Sequence, residues 1–147
     1  MRRIVVALGF FALSCGGEKG ETPATSTTKV AAPPPAPVHE VRMELVGKAY
    51  RFTPADITIK AGDVVRFINV SGGPHNVAFD KGKIPAGAAV VLNASMKGRV
   101  MDLAGPYLKD ANATYEVSFA GAPAGTYTYV CTPHKPMGMV ARVVVSP

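Results

Sequence analysis

Residues 125–146, GTYTYVCTPHKPMGMVARVVVS, contain two runs rich in Val, Tyr and Thr on either side of a short loop. The runs at 125–131 and 140–145 have the composition of β-strands. The end of the first run and the loop after it carry three side chains that can bind a metal ion: Cys131, His134 and Met139. The stretch therefore predicts two strands joined by a loop that presents donor atoms in the pattern Cys-x2-His-x4-Met.

A second histidine, His75, stands far upstream at the start of another strand-like run. Two imidazoles, one thiolate and one weakly bound thioether are the ligand set of a blue-copper electron-transfer site. Any one of these residues alone has an ordinary structural explanation, but the combination predicts one copper ion. Met137 is a second thioether in the same loop, and position alone does not decide between it and Met139. Pro133 and Pro136 restrict the loop backbone, which favours a rigid site.

Polar residues follow two of the candidate ligands. Asn76 comes directly after His75, and Thr132 directly after Cys131. Side chains there could tie the two ligand segments together and hydrogen-bond near the sulfur. The alternative is that each is an ordinary polar residue of a turn or of the surface.

Short apolar alternations broken by Gly, Pro, Asn and Asp extend over residues 41–147. Short strands at regular spacing predict an all-β fold, a β-sandwich. A short helix is expected at most, within residues 95–108, because Gly98, Gly105 and Pro106 oppose a long one. The strands are expected at 41–46, 57–59, 64–70, 75–80, 114–119, 125–131 and 140–145. The strands at 114–119 and 125–131 are expected to pair as a hairpin around the turn at 120–124.

The N-terminal residues have the composition of an export signal and a linker. Residues 1–15 hold Arg2 and Arg3, then a ten-residue apolar run too short to span a bilayer. Cys15 follows, which predicts a lipoprotein signal with Cys15 as the lipidated residue; the alternative is an ordinary secretory signal. Residues 16–40 are rich in Thr, Pro and Ala and predict a disordered linker, with His39 solvated at its end.

Charge and composition exclude some classes of function. The 147 residues are 48% apolar with a net charge of +6, or +4 without Arg2 and Arg3, and contain no dense basic run. Nucleic-acid binding is therefore not expected. The charge is compatible with an acidic protein partner, or simply with solubility. The protein is expected to be a monomer. Catalysis at several coppers is not expected either, because the chain has only three histidines.

The domain resembles the small blue-copper proteins of the plastocyanin/pseudoazurin type, the cupredoxins. The resemblance rests on ITIKAGDVVRFIN at 57–69, GGPHNVAFDKGKIPAG at 72–87 and GTYTYVCTPHKPMGM at 125–139. It implies a Greek-key sandwich of about eight strands with type 1 copper at one end. It also implies a ligand assignment: His75, Cys131 and His134 trigonal, and Met139 rather than Met137 axial.

The resemblance further implies that His134 reaches the surface inside an apolar electron-exit patch, formed here by Gly73, Pro74, Pro133, Pro136 and Met137. Two departures separate the chain from plant plastocyanins. Val130 stands where those have Tyr, and Lys81 and Lys83 follow the first ligand in place of acidic clusters. The expected function is single-electron transfer between redox partners in a bacterial cell envelope or periplasm. The alternative is a periplasmic copper chaperone or store.

Overall fold

A computed structural model describes residues 34–147 as two facing β-sheets. Within this range there are eight strands, one short α-helix and two 3-10 turns. The predicted all-β sandwich with at most a short helix is confirmed. The elements are β1 Val38–Val46, β2 Ala49–Thr53, β3 Asp56–Lys60, β4 Val64–Asn69, β5 Ala78–Phe79, α1 Ala88–Ser95, β6 Thr114–Ser118, β7 Gly125–Val130 and β8 Val140–Ser146.

Each sheet has four strands. One has the order β2-β1-β4-β6 and the other β3-β8-β7-β5. β1 runs parallel to β4 and β3 parallel to β8, while the remaining pairs are antiparallel. β7 and β8 therefore lie side by side, and the loop that joins them sits at one end of the sandwich.

Alternating side chains of the two sheets form the core. In β4, Val65, Phe67 and Asn69 face inward while their neighbours are half-buried, which is the period-two pattern of a strand with one buried face. Phe67 and Tyr129 meet edge to face with ring centroids 5.3 Å apart, and Phe52 packs on both. Aromatic pairs in this arrangement add to the free energy of burial.

The first strand begins earlier than the sequence predicted. Residues 38–40, placed in the linker, belong to β1 and pair with the start of β4. His39 is not simply solvated, because its Nε2 lies 2.8 Å from Asp63 Oδ2. The edge strand β2 was not predicted; it pairs with β1 in antiparallel register. The rest of the predicted linker, the signal segment and Cys15 lie outside the described residues.

The predicted hairpin around 120–124 is wrong. β6 pairs with β4, whereas β7 pairs with β5 and β8, so the connection crosses from one sheet to the other. Buried Phe119 fixes the crossing, because its backbone exchanges hydrogen bonds with Gly62 and Asp63. Alternation identified both strands but could not tell which strands were their partners.

The helix and one strand also differ from expectation. α1 lies upstream of the predicted segment, because Gly98 and Leu103 have φ values of 63° and 58° and cannot continue a right-handed helix. The run at 75–80 forms only the short β5, and His75 makes an isolated bridge with Leu108. None of the helices among the described residues has the length and apolar character needed to span a bilayer.

Candidate metal centre

Three of the predicted ligands converge at the end of the sandwich where β4 and β7 finish. Cys131 Sγ lies 3.4 Å from His75 Nδ1 and 3.3 Å from His134 Nδ1. The two Nδ1 atoms are 3.1 Å apart. A point between the three atoms is about 2 Å from each, close to the length of a metal–imidazole bond. The triangle has the dimensions of a site for one metal ion.

The His75 ring is oriented by its second nitrogen. Its Nε2 lies 2.9 Å from the carbonyl oxygen of Ser71, so Nε2–H donates to that oxygen and the Nδ1 lone pair faces the site. Burial lowers the pKa of His75, and the hydrogen bond to Ser71 opposes the shift. The neutral, metal-binding form of the imidazole is therefore favoured near neutral pH.

The pKa values of the other two donors, His134 and Cys131, are shifted by the same buried surroundings. Burial, followed by repulsion from His75, lowers the pKa of His134. Burial also raises the pKa of the Cys131 thiol, against hydrogen bonds from the backbone of Asn76 and His134. A dry pocket that holds two neutral imidazoles beside a thiol is suited to a cation, since a bound cation draws the thiol to its thiolate form.

Backbone hydrogen bonds hold the ligand loop to itself. The Cys131 amide donates to the carbonyl of Met139, and the Met139 amide donates to that of His134. The His134 amide in turn donates to the carbonyl of Cys131. These bonds link the three loop ligands directly, so the loop keeps one shape.

The two thioethers of the loop differ in burial. Met139 is 0% exposed and belongs to the same buried cluster as Cys131, whereas Met137 is 53% exposed. Only Met139 lies inside the molecule next to the triangle of donors. This agrees with the axial role that the resemblance implied for Met139.

Asn76 joins the two ligand segments, as the sequence suggested. Its Oδ1 accepts a hydrogen bond of 2.7 Å from the amide of Thr132, and its Nδ2 donates to the Thr132 hydroxyl at 3.1 Å. Asn76 is fully buried. The pair fixes the distance between the residue after His75 and the residue after Cys131.

A second asparagine supports the His75 segment and was not predicted. Asn69, at the buried end of β4, donates from Nδ2 to the carbonyls of Leu108 and Asp110. Leu108 and His75 exchange backbone hydrogen bonds of 3.1 and 2.7 Å. The loop around residue 108 thus packs against the His75 backbone and holds it in place. This contact joins segments that are distant in sequence, so the sequence alone did not predict it.

Tyr50 in β2 contacts both histidines of the site and was not predicted from the sequence. Its ring stacks on the His134 imidazole with centroids 3.8 Å apart and planes inclined by only 10°. The same ring meets His75 edge-on at 6.1 Å. His134 is consequently only 7% exposed, so little of the ring reaches the surface. The predicted patch residues around it, Gly73, Pro74, Pro133, Pro136 and Met137, are all exposed.

A family model described as copper binding proteins, plastocyanin/azurin family, matches residues 39–146. This chain belongs to that family. The centre of this plastocyanin/azurin-type protein accordingly takes one type 1 copper ion, and its paired imidazoles, thiol and buried thioether have the chemistry for it.

Relatives in algae, plants and bacteria are similar over the folded domain. The chain is 39% identical to chloroplastic plastocyanin of Chlamydomonas reinhardtii over 66% of its own length and 59% of the relative's. It is 39% identical to plastocyanin A'/A'' of Nicotiana tabacum, over 65% and 87%. For plastocyanin of Synechococcus the identity is 37%, over 65% and 63%. The chain thus spans less than two thirds of the length of the Chlamydomonas and Synechococcus plastocyanins.

Solved structures show the same fold. Oxidised plastocyanin of Dryopteris crassirhizoma matches with a TM-score of 0.56 and 33% identity, covering 74% of this chain and all of the other. Pseudoazurin of Methylobacterium extorquens AM1 matches with a TM-score of 0.52 and 31% identity, covering 74% and 75%. The cupredoxin resemblance is confirmed.

Proposed function

We propose that this protein carries single electrons between redox partners and is not an enzyme. The observation that carries the proposal is the triangle of His75 Nδ1, Cys131 Sγ and His134 Nδ1, with sides of 3.1 to 3.4 Å. These three residues would hold the copper ion together with the buried thioether of Met139. When bound, copper supplies the one-electron couple Cu(II)/Cu(I).

The residues around the triangle favour electron transfer because they resist movement. The Ser71 carbonyl fixes the His75 ring, the Asn76–Thr132 pair fixes the spacing of the two segments, and the loop bonds to itself. Ligands that barely move between oxidation states lower the reorganisation that accompanies each transfer. The chain's part is to hold four donors still and to exclude water from them.

A copper chaperone or store is the alternative function, and exposed Met137 is the feature that favours it. The burial of His75, Cys131 and Met139 opposes it, because rapid metal exchange needs accessible ligands. Two rates separate the functions: the removal of copper by an excess of chelator, and the oxidation of the reduced protein by a small one-electron oxidant. A carrier should transfer its electron many times faster than it loses copper. Stripping as fast as oxidation would favour the chaperone.

We further propose that the partner is an acidic redox protein that docks at the end holding the metal centre. Exposed Lys135 lies within the ligand loop, and exposed Lys48 lies in the β1–β2 turn. Surface charges of this kind mainly raise association rates, and salt screens them. Lys135→Glu should slow electron transfer to an acidic partner such as an acidic cytochrome and weaken its salt dependence. The matched control is Lys60→Glu at the end of β3, which should leave both unchanged.

Export is a separate proposal, supported by the composition of residues 1–15. We propose that the chain acts in a bacterial cell envelope as a monomer, attached to a membrane by a lipid on Cys15. The Pro-rich segment after it would serve as a tether. Growth with a labelled fatty acid should label the wild type and not Cys15→Ser. An unlabelled wild type that is still exported would favour the ordinary secretory signal.

A further inference from the structure

The two histidines of the metal centre are oriented by different means. The far nitrogen of His75 is fixed by the Ser71 carbonyl at 2.9 Å. His134 makes no corresponding hydrogen bond from its far nitrogen within residues 34–147. A histidine ligand ordinarily needs such a partner to fix the plane of its ring. For His134, the group that contacts the ring plane is the phenol ring of Tyr50, at 3.8 Å between centroids.

Tyr50 is itself held firmly in this position. It pairs with Leu45 across the β1–β2 ladder. On its other side the loop before His75 comes close, since a Cβ added to Gly72 would lie 3.1 Å from Tyr50 Cε1 and 2.6 Å from Leu45 Cβ. Gly72 also has a φ of 75°, a conformation that favours glycine. The glycine lets the loop close on the tyrosine, so the ring is confined between that loop and His134.

The stack also joins the two sheets. Tyr50 belongs to the sheet of β1, β2, β4 and β6, whereas His134 lies in the loop that connects β7 and β8 of the other sheet. The stacked face of the imidazole is closed to water, while Nδ1 points at Cys131 Sγ. Swinging His134 outward would therefore require the stack to separate.

We infer that Tyr50 is a positioning residue for the metal centre: it fixes the plane of His134 and keeps that ligand from swinging away from the metal. The inference rests on the proposed copper site and extends it. His134 is the most exposed of the three donors, at 7% against 0% for His75 and Cys131, so we expect the loss of copper from the reduced protein to begin at this ligand. Tyr50 slows that step through its ring face, and its hydroxyl plays no part.

The test compares wild type, Tyr50→Phe and Tyr50→Leu in the copper-loaded full chain at neutral pH. In the diamagnetic Cu(I) form, the stacked phenol ring should shift the His134 ring protons upfield. That shift should persist in Tyr50→Phe and vanish in Tyr50→Leu. Removal of Cu(I) by a chelator should be roughly 2- to 10-fold faster in Tyr50→Leu, the factor that one aromatic pair supplies. Tyr50→Phe should match the wild type.

Each outcome decides the inference. If Tyr50→Leu lost the upfield shift but released copper at the wild-type rate, Tyr50 would be packing only and the inference would be overturned. Slowed release, or a Tyr50→Phe that behaves like Tyr50→Leu, would overturn it as well. A wild type that forms no blue site would overturn the proposed function and this inference with it. If Tyr50→Leu does not fold, Tyr50→Thr removes the ring while keeping a strand-favouring residue.

Discussion

The two ends of the sandwich each use histidine, in opposite ways. Where β4 begins, His39 Nε2 lies 2.8 Å from Asp63 Oδ2, with the His39 side chain 35% exposed. Where β4 finishes, His75 and His134 are buried and face Cys131 at 3.3 to 3.4 Å. The first end has a carboxylate beside a partly exposed imidazole, whereas the second has a thiol and no acidic side chain in the triangle.

The difference shows that surroundings decide what a histidine does. At the first end, His39 ties the start of β1 to the turn before β4, a contact that contributes to structure. At the second end, burial favours neutral imidazoles. Their Nδ1 atoms and Cys131 Sγ lie close enough together for one metal ion to bind all three.

The largest effect is expected from removing a histidine at one end only. His75→Ala should weaken copper binding by more than the roughly 10- to 100-fold that loss of a group supporting a ligand costs. His39→Ala should leave copper binding unchanged, because its ring contacts Asp63 at the other end. Competition titration with a copper chelator measures both. Equal losses in the two variants would refute the division of roles.

The next largest effect is expected from replacing the buried thioether of the ligand loop. Met139→Leu replaces a buried thioether with an apolar group of similar volume, which should cost less than about 1.5 kcal/mol of folding free energy. The reduction potential should nevertheless rise, because the axial donor stabilises Cu(II) more than Cu(I). Met137→Leu is the matched control and should leave the potential unchanged. Voltammetry of the two variants checks this, and a shift in Met137→Leu alone would reverse the axial assignment.

A smaller effect is expected where the two ligand segments are tied together. Asn76→Ala leaves the amide and hydroxyl of half-buried Thr132 without their partner, which should destabilise the metal-free protein by about 1 kcal/mol, the low end of the cost of an unpaired polar group. Thr132→Val removes only the hydroxyl contact and should cost less. Denaturant unfolding of both variants gives the comparison. A larger loss of stability in Thr132→Val than in Asn76→Ala would show that the Asn76 side chain is not the group that links the two ligand segments.

The smallest effect is expected at the opposite end. The backbone amide of Lys60 and the His39 side chain donate to Asp63 and hold its pKa below the ordinary value. Its contribution to stability is therefore complete above about pH 4, the pKa of an unfolded aspartate, and is lost as pH falls through the lower folded value. Asp63→Asn should be less stable than wild type at pH 7, with the gap closing in acid. Unfolding curves at several pH values measure it, and a gap that widens in acid would contradict the sign.

Much of the metal centre could be predicted because its information is local. Cys131, His134 and Met139 lie in one loop between recognisable strands, and Asn76 and Thr132 stand directly beside ligands. The structure keeps all of these neighbours together. The alternation of apolar and polar residues likewise predicted the sandwich, because a strand with one buried face shows that alternation in its own sequence.

The parts that the sequence missed depend on pairing between distant segments. The stack of Tyr50 on His134 arises only after β2 adds to the edge of β1 and the two sheets close. The crossing of the chain after β6 was mistaken for a hairpin, because partner choice is not recorded in alternation. His39 was assigned to the linker, since its partner Asp63 is distant in sequence.

The most direct test of the central claim is the visible and EPR spectrum of the Cu(II)-loaded wild type beside Cys131→Ser. The wild type should show an intense thiolate-to-copper absorption and the EPR signal of a type 1 site, and both should be lost in Cys131→Ser. His39→Ala, at the other end of the sandwich, should be as blue as the wild type. A wild type that binds Cu(II) without colour, or a blue band that survives in Cys131→Ser, would contradict the account.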